Sequence, residues 1–300
     1  MHYYTPEAGR ADIMRFEKEV RQQYMIANDK AARAKKDAAK QAEMKHPVVL
    51  EQILDQQKIA YKIDLGTLEI PMNQIVGFAA DDQKEPLYAS NFMPLPSAKT
   101  QFAETWRHLY QEYLSDEGLH APIRCYEYLG KFYVQDGAKR VSVLMHHGAG
   151  TILSEVTRIM PACTQDQQIQ TYYEFLHHFQ LTRLYQISFT QPEYFAKLQA
   201  AMGHEINYCW NDSDRFGFLF HWYTIENAFH KAYENCLNIT AADALVVLLE
   251  RYTYHQIIKM PVWVLTRVFQ AHWKQLYELS SPGFSLEKKE QRLSGLLQPA

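Results

Sequence analysis

The chain has 300 residues, of which 47% are hydrophobic and 22% are charged, so it can fill a core and is not wholly disordered. With 31 Lys+Arg against 34 Asp+Glu, the net charge of −3 excludes a uniformly basic nucleic-acid-binding protein but permits a local basic patch. At roughly 100–200 residues per domain, this length predicts about two domains.

The cysteines and the chain start indicate where the protein acts. The four cysteines include no C-x-x-C pair, which predicts reduced thiols rather than disulfides or a zinc site, and the 13 histidines show no metal-ligand spacing. The first residues contain no apolar run of a secretory signal, and no run of about 18 apolar residues predicts a membrane span. We therefore expect a cytoplasmic protein without membrane contact, haem, flavin, zinc or another bound metal site.

Residues 1–46 are predicted to form a helical, locally basic arm, because they are rich in Ala, Lys, Gln and Glu. Between Arg10 and Lys45 the arm carries ten Lys/Arg and six Asp/Glu, a net charge of +4. Since residues 29–40 contain almost no large apolar side chain, the composition predicts a solvated helix with no anchor in a core. The alternative is a basic arm that contacts nucleic acid or an acidic partner.

Residues 47–162 are predicted to form a small domain with a mixed sheet. The patterns indicate, in chain order, a short helix or strand over 48–54, a strand over 65–71, a turn over 72–76, a helix over 100–114, a hairpin of strands 123–128 and 131–135, a helix over 138–147 and a strand over 152–159. Glycine ends the last helix at position 148.

Residues 163–300 are predicted to form a helical domain with a polar tail. The patterns indicate helices at about 166–179, 192–202, 216–236, 241–251 and 261–279, and a short strand over 185–189 that pairs back onto the sheet. Thr240 is a good N-cap for the fourth of these helices, and Asp243 suits its positive end. The whole chain is therefore expected to be an α+β protein.

Residues 131–148 have a strand–turn–helix pattern that favours an anion. Gly137 supplies a turn with positive φ, and Lys139 and Arg140 fall in the first turn of the following helix. Two cations there oppose the helix dipole, a cost that a bound phosphate would offset. Arg140 would then bind the phosphate bidentately, Lys139 as a point charge and Ser142 through its hydroxyl. The alternative is an ordinary exposed helix start.

Three segments around this turn resemble the ParB/sulfiredoxin superfamily, over residues 65–161. The first is similar to the family's strand motif E-I-P-x-x-x-I and reads Glu69-Ile70-Pro71-Met72-Asn73-Gln74-Ile75. The second is similar to G-L-x-x-P-I and reads Gly118-Leu119-His120-Ala121-Pro122-Ile123. The third is similar to the G-x-x-R box that opens a helix after a hairpin and reads Gly137-Ala138-Lys139-Arg140. The order also resembles bacterial proteins in which such a domain precedes a helical region.

The resemblance implies a ligand, and the sequence also differs from the family in two respects. In that superfamily the box binds nucleotide phosphates, which implies that Gly137, Lys139 and Arg140 contact a nucleotide, such as a nucleoside triphosphate with Mg²⁺, or another phosphate. It also implies that His120 lies across the same cleft, and the alternative for His120 is an ordinary loop histidine. Ala138 stands where sulfiredoxin has its catalytic cysteine, which argues against sulfiredoxin chemistry. No E-N-x-x-R segment follows the box between residues 149 and 175, which argues against CTP hydrolysis.

These observations lead to three hypotheses of function. The first is a ParB-like regulatory protein that binds a nucleotide or phosphate, with DNA or another protein as a further partner and a homodimer as its assembly. The second is an enzyme on the same fold, a nuclease, ATPase or kinase, for which Asp136 and Glu127 are the candidate carboxylates. The third is a protein-interaction module in which the G-x-x-R box is purely structural.

Overall fold

A computed structural model describes residues 6–41, 44–54, 58–79, 87–115, 121–233 and 236–280. The chain divides into two compact units, Met1–Ala162 and Cys163–Ala300. The described part of the first unit contains helices and a six-stranded mixed sheet, whereas the described part of the second contains helices and no strand. The fold class is therefore α+β, as the sequence predicts.

The described strands of the first unit form one sheet. They are β1 (Val48–Val49), β2 (Ile59–Pro71), β3 (Ile75–Phe78), β4 (Ile123–Tyr128), β5 (Lys131–Asp136) and β6 (Thr151–Pro161). Their order across the sheet is β1-β3-β5-β4-β6-β2. Strand β3 is parallel to β1 and β5, β4 is antiparallel to β5 and parallel to β6, and β2 pairs antiparallel with β6 at the edge. The hairpin β4–β5 thus lies at the centre of the sheet.

The described helices of the first unit are α1 (Pro6–Gln41), α2 (Leu50–Ile53), α3 (Gln101–Leu114) and α4 (Ala138–His147). Helix α4 packs on two sides. Its Val141 and Leu144 belong to the apolar cluster of the sheet, whereas Val143 belongs to a second cluster with Trp106 of α3 and Tyr24 of α1. The start of α4 is therefore held firmly between the sheet and α3.

The prediction that residues 29–40 have no anchor in a core is wrong, because Ala31 and Ala38 of this stretch are buried. Val20, Tyr24, Ala27 and Ala31 are buried, and they pack in one cluster with Trp106. The Tyr24 hydroxyl also donates a hydrogen bond of 2.8 Å to the carbonyl oxygen of Pro96. Alanine lacks a bulky side chain, so it allows another element to approach α1 closely, and a scarcity of large residues did not mean exposure here.

The sequence analysis missed strand β3. The strand begins inside the turn predicted over 72–76 and continues to Phe78. A 3₁₀ turn, Met72–Gln74, follows Pro71, and the chain then continues as a four-residue strand. The strand is short and contains Gly77, which has low β-propensity. Glycine is required at this position because a Cβ atom would overlap the carbonyl oxygen of Val48 on β1.

The described helices of the second unit surround one apolar cluster. They are α5 (Gln167–Thr182), α6 (Tyr194–Ala201), α7 (Asp212–Tyr233), α8 (Ala241–Leu249), α9 (Tyr254–Ile258), α10 (Val262–Ala271) and α11 (Trp273–Ser280). Helix α8 is the most deeply buried, and α7 packs along α10. Each of these three helices contributes buried side chains to the cluster, among them Trp222 of α7, Leu245 of α8 and Phe269 of α10.

Two predictions for the second unit are wrong. Residues 185–189 form an irregular segment rather than a strand, and their apolar pattern reflects the complete burial of Ile187 in the helical core. The helix predicted over 261–279 is two helices, because α10 ends at Ala271 and α11 begins at Trp273. The short helix α9 was not predicted. It begins with a capping box that Thr253 and Gln256 form. The predicted polar tail lies outside the described residues.

His178 of α5 is buried without a hydrogen-bond partner. Its side chain is 1% exposed, its ring lies edge-on to Phe195, and neither of its ring nitrogens is paired in the described structure. Burial, with a smaller contribution from the nearby His177, lowers the pKa of His178 from 6.5 to about 3. Between about pH 3 and pH 6.5, this imidazole is therefore mostly neutral in the folded chain and mostly protonated in the unfolded chain.

We expect the free energy of unfolding to decrease between pH 7 and pH 5, because the unfolded chain takes up a proton at His178 that the folded chain does not. This contribution is fully present above pH 6.5 and is lost towards pH 3, the two pKa values of the group. The loss relative to neutral pH amounts to about 2 kcal/mol at pH 5. The variant His178→Phe should lose this part of the pH dependence in urea unfolding, and an unchanged pH dependence would contradict the assignment.

Candidate functional site

The turn between β5 and α4 forms as the sequence predicts. Gly137 is the N-cap of α4 with φ of 96°, and Gly148 ends the helix with φ of 83°. The first-turn amides of Ala138, Lys139 and Arg140 have no intrahelical acceptor, as at any helix start, and Gly137 has no side chain that could cap them. The start of α4 therefore combines N–H donors with the positive end of the helix dipole.

A cleft of about 370 Å³ opens at this end of α4. Its volume is within the range of about 300–1,000 Å³ that small-molecule sites occupy. Its polar lining includes Gln135, Asp136, Lys139 and Arg140, and its apolar lining includes Phe78, Tyr88 and Phe102. The cleft thus has a polar end at the start of α4 and an aromatic wall.

The two cations of the box have different surroundings. The Lys139 Nζ lies 5.0 Å from the ring centroid of Phe102, within the cation–π range. Arg140 is largely covered, with 17% of its side chain exposed, and its Nη1 donates hydrogen bonds to the carbonyl oxygens of Ala121 and Pro122. Its Nη2 lies 3.7 Å from Asp136 Oδ2. Arg140 therefore ties the start of α4 to the segment that enters β4, and Lys139 is the more available cation.

Ser142 does not lie at the cleft, although the sequence analysis made it a phosphate ligand. It is fully buried on the face of α4 that packs against α3, and its hydroxyl accepts a hydrogen bond of 3.0 Å from Trp106 Nε1. Its observed contact is structural. His120, the other predicted ligand outside the box, lies outside the described residues.

The two candidate carboxylates lie at opposite ends of the hairpin. Asp136 is paired with Arg124 in the sheet register, is 57% exposed and lines the cleft. Glu127 lies next to the hairpin turn, where it is buried, forms an ion pair with Arg158 and accepts a hydrogen bond of 2.8 Å from the Gly130 amide. The described cleft therefore contains Asp136 but not Glu127.

The aromatic wall of the cleft was not predicted. Phe102 lies in the helix predicted over 100–114, and neither Phe78 nor Tyr88 falls in a helix or strand predicted from the sequence. These rings come from three separate segments of the chain. No local pattern brings them together, so the sequence contained no signal for this part of the site.

Neither a search for metal-binding clusters, nor the hydropathy of the helices, nor comparison with known proteins assigns a function to the chain. Within the described ranges, no cluster of three or more His, Cys, Asp or Glu residues could hold a metal ion. None of the described helices has the length and hydropathy needed to cross a membrane. No family model matches the chain, and no curated protein matches it either. Its function is therefore inferred from its own residues.

Proposed function

We propose that residues 47–162 form a ParB/sulfiredoxin-like domain whose cleft at the start of α4 binds the phosphate group of a nucleotide. One observation carries the proposal: a cleft of about 370 Å³ lies where the G-x-x-R box begins a helix, and Gly137, Lys139 and Arg140 line it. First-turn amides without an intrahelical acceptor, the positive helix end and Lys139 all favour an anion at this point.

The order of the elements supports the resemblance. The E-I-P motif ends β2, the hairpin β4–β5 precedes the box, and the box begins α4, in the order that the resemblance implies. Together with β6, which follows α4, these strands belong to one sheet. This arrangement places the box at the carboxyl end of β5, where a helix N-terminus is available to a ligand.

The aromatic wall favours a nucleotide over free phosphate. Phe78, Tyr88 and Phe102 line the same cleft as the box. A nucleobase can stack on such rings, and each stacked base contributes about 1–3 kcal/mol. In this proposal the protein is a cytoplasmic regulator, with DNA or another protein as its further partner.

Two alternatives each have a specific observation in their favour. Asp136 at the cleft supplies the carboxylate that a nuclease, ATPase or kinase on this fold would need, and a Mg²⁺ ion that accompanies a triphosphate would suit the same group. The contacts of Arg140 with the carbonyls of Ala121 and Pro122 favour a structural role for the box in a protein-interaction module.

Lys139→Ala should weaken nucleotide binding without unfolding the chain. The lysine contributes a charge to the cleft, and loss of one charge-assisted contact costs about 1.5–3 kcal/mol, so the Kd should rise about tenfold or more. Isothermal titration calorimetry of the full chain with CTP, ATP and GTP, each with and without Mg²⁺, measures this. Lys259→Ala, which removes an exposed lysine of the second unit, is the matched control.

The outcomes separate the three functions. Binding that Lys139→Ala weakens and Lys259→Ala leaves unchanged supports the proposal. Absence of binding by all three nucleotides, or binding that Lys139→Ala does not affect, contradicts it. Nucleotide hydrolysis that Asp136→Asn abolishes while binding persists favours the enzyme. Loss of thermal stability in Arg140→Ala, in a chain that binds no nucleotide, favours the structural box.

A further inference from the structure

Helix α7 of the second unit carries a stripe of exposed aromatic side chains. Phe216, Phe220 and Tyr223 are 71%, 77% and 61% exposed. Their spacing of four and three residues places them on one face of the helix. The opposite face, which includes Phe218, Trp222 and Ile225, already belongs to the apolar core of the unit. The stripe is therefore not needed for that core, and such a patch marks an interaction surface.

Charged residues lie at both ends of this face and not in its middle. At 100° per residue, Asp212, Asn227 and Lys231 lie on the same side of the helix as the aromatic stripe. Asp212 is in the first turn with 79% of its side chain exposed, although it also pairs with Arg215. Lys231 is exposed in the last turn. The face thus runs from negative through aromatic to positive.

We propose that the aromatic stripe of α7 is the interface of a homodimer in which the α7 helices of two copies pack antiparallel. A two-fold axis between Phe220 and Tyr223 places Phe220 of each copy opposite Tyr223 of the other. The same axis brings Asp212 of each copy level with Lys231 of the other along the helices, and it does so twice, as an isologous interface requires. A parallel arrangement would instead bring like charges together. The charge order of this face therefore fits a second copy of the chain.

Analytical ultracentrifugation of the full chain, over a concentration range from micromolar to hundreds of micromolar, tests the interface. We expect a concentration-dependent dimer that Phe220→Glu weakens about tenfold or more, since a charge would be buried between the copies. Phe16→Glu changes an exposed phenylalanine of α1 and is the matched control that should dimerise as the wild type. Thermal unfolding shows whether each variant remains folded.

A charge reversal tests the antiparallel arrangement. Asp212→Lys and Lys231→Asp should each weaken the dimer, and the double variant should restore much of the lost affinity, because each reversed residue then faces an opposite charge. A chain that stays monomeric throughout, or a dimer that Phe220→Glu does not weaken, would overturn the proposal. A double variant no tighter than either single variant would overturn the antiparallel pairing. None of these outcomes depends on nucleotide binding.

Discussion

Gly137→Ala should destabilise the first unit by about 2–4 kcal/mol and abolish nucleotide binding. Gly137 has φ of 96°, a conformation that alanine adopts only with strain, and an added Cβ atom would overlap the Cγ2 of Ile123. Ile123 is fully buried on β4, so it can move only by displacing its neighbours in a close-packed core. The substitution would therefore displace the start of α4, where the proposed phosphate site lies.

Gly148→Ala, at the other end of the same helix, is the matched control. Gly148 also has positive φ, of 83°, but no atom lies within 4 Å of an added Cβ. Only backbone strain remains, which costs about 1 kcal/mol. Urea unfolding of the two variants measures the difference. Equal losses of stability would show that α4 does not lie against Ile123 as described.

Asp243→Ala should destabilise the second unit by about 4 kcal/mol, because it leaves several partly buried donors without their acceptor. The buried carboxylate accepts hydrogen bonds from the amide and hydroxyl groups of Thr190 and of Thr240, with distances of 2.8–3.0 Å. Burial raises the pKa of Asp243, while these four donors act in the opposite direction. The residue thereby fastens the segment before α6 to the start of α8.

Asp166→Ala provides the comparison for this effect. Asp166 caps α5 and accepts hydrogen bonds from the amides of Gln168 and Ile169, but its carboxylate is exposed to water. Loss of such a cap costs about 1 kcal/mol. Chemical unfolding should therefore separate the two variants clearly, and a similar small loss in both would mean that the Asp243 network contributes little.

Signals carried by neighbouring residues could be read from the sequence. Gly137 and Gly148 bracket α4 as predicted, and Thr240 with Asp243 forms the predicted N-terminal cap of α8. These signals are local, since each depends on the backbone geometry of a few consecutive residues. The same holds for α3, whose N-cap is Thr100.

Features that depend on distant parts of the chain could not be read in this way. Ala27 and Ala31 are buried because Trp106, more than 70 positions later, packs in the same cluster. The missed strand β3 is held by β1 and β5 on its two sides. Residues 185–189 were mistaken for a strand because apolar and polar residues alternate in them. The same alternation occurs in an irregular segment that is buried against a helical core.

The candidate site likewise combines local features, which could be predicted, with contacts between distant residues, which could not. The backbone of Gly137, Lys139 and Arg140 follows from the local turn and lies where the sequence analysis placed it. The bonds of Arg140 to the carbonyls of Ala121 and Pro122 could not be foreseen, because they join segments 18 and 19 residues apart. The burial of Ser142 likewise depends on Trp106 of α3.

Nuclear magnetic resonance of the isotopically labelled full chain tests the central claim most directly. The chain is titrated in turn with CTP, ATP and GTP in the presence of Mg²⁺, and backbone amide shifts are followed by a transverse-relaxation-optimised experiment. We predict that the amides of Gly137, Ala138, Lys139 and Arg140 shift most, because they are the donors at the start of α4. Shifts concentrated elsewhere in the chain, or none at millimolar nucleotide, would contradict a phosphate site at this helix.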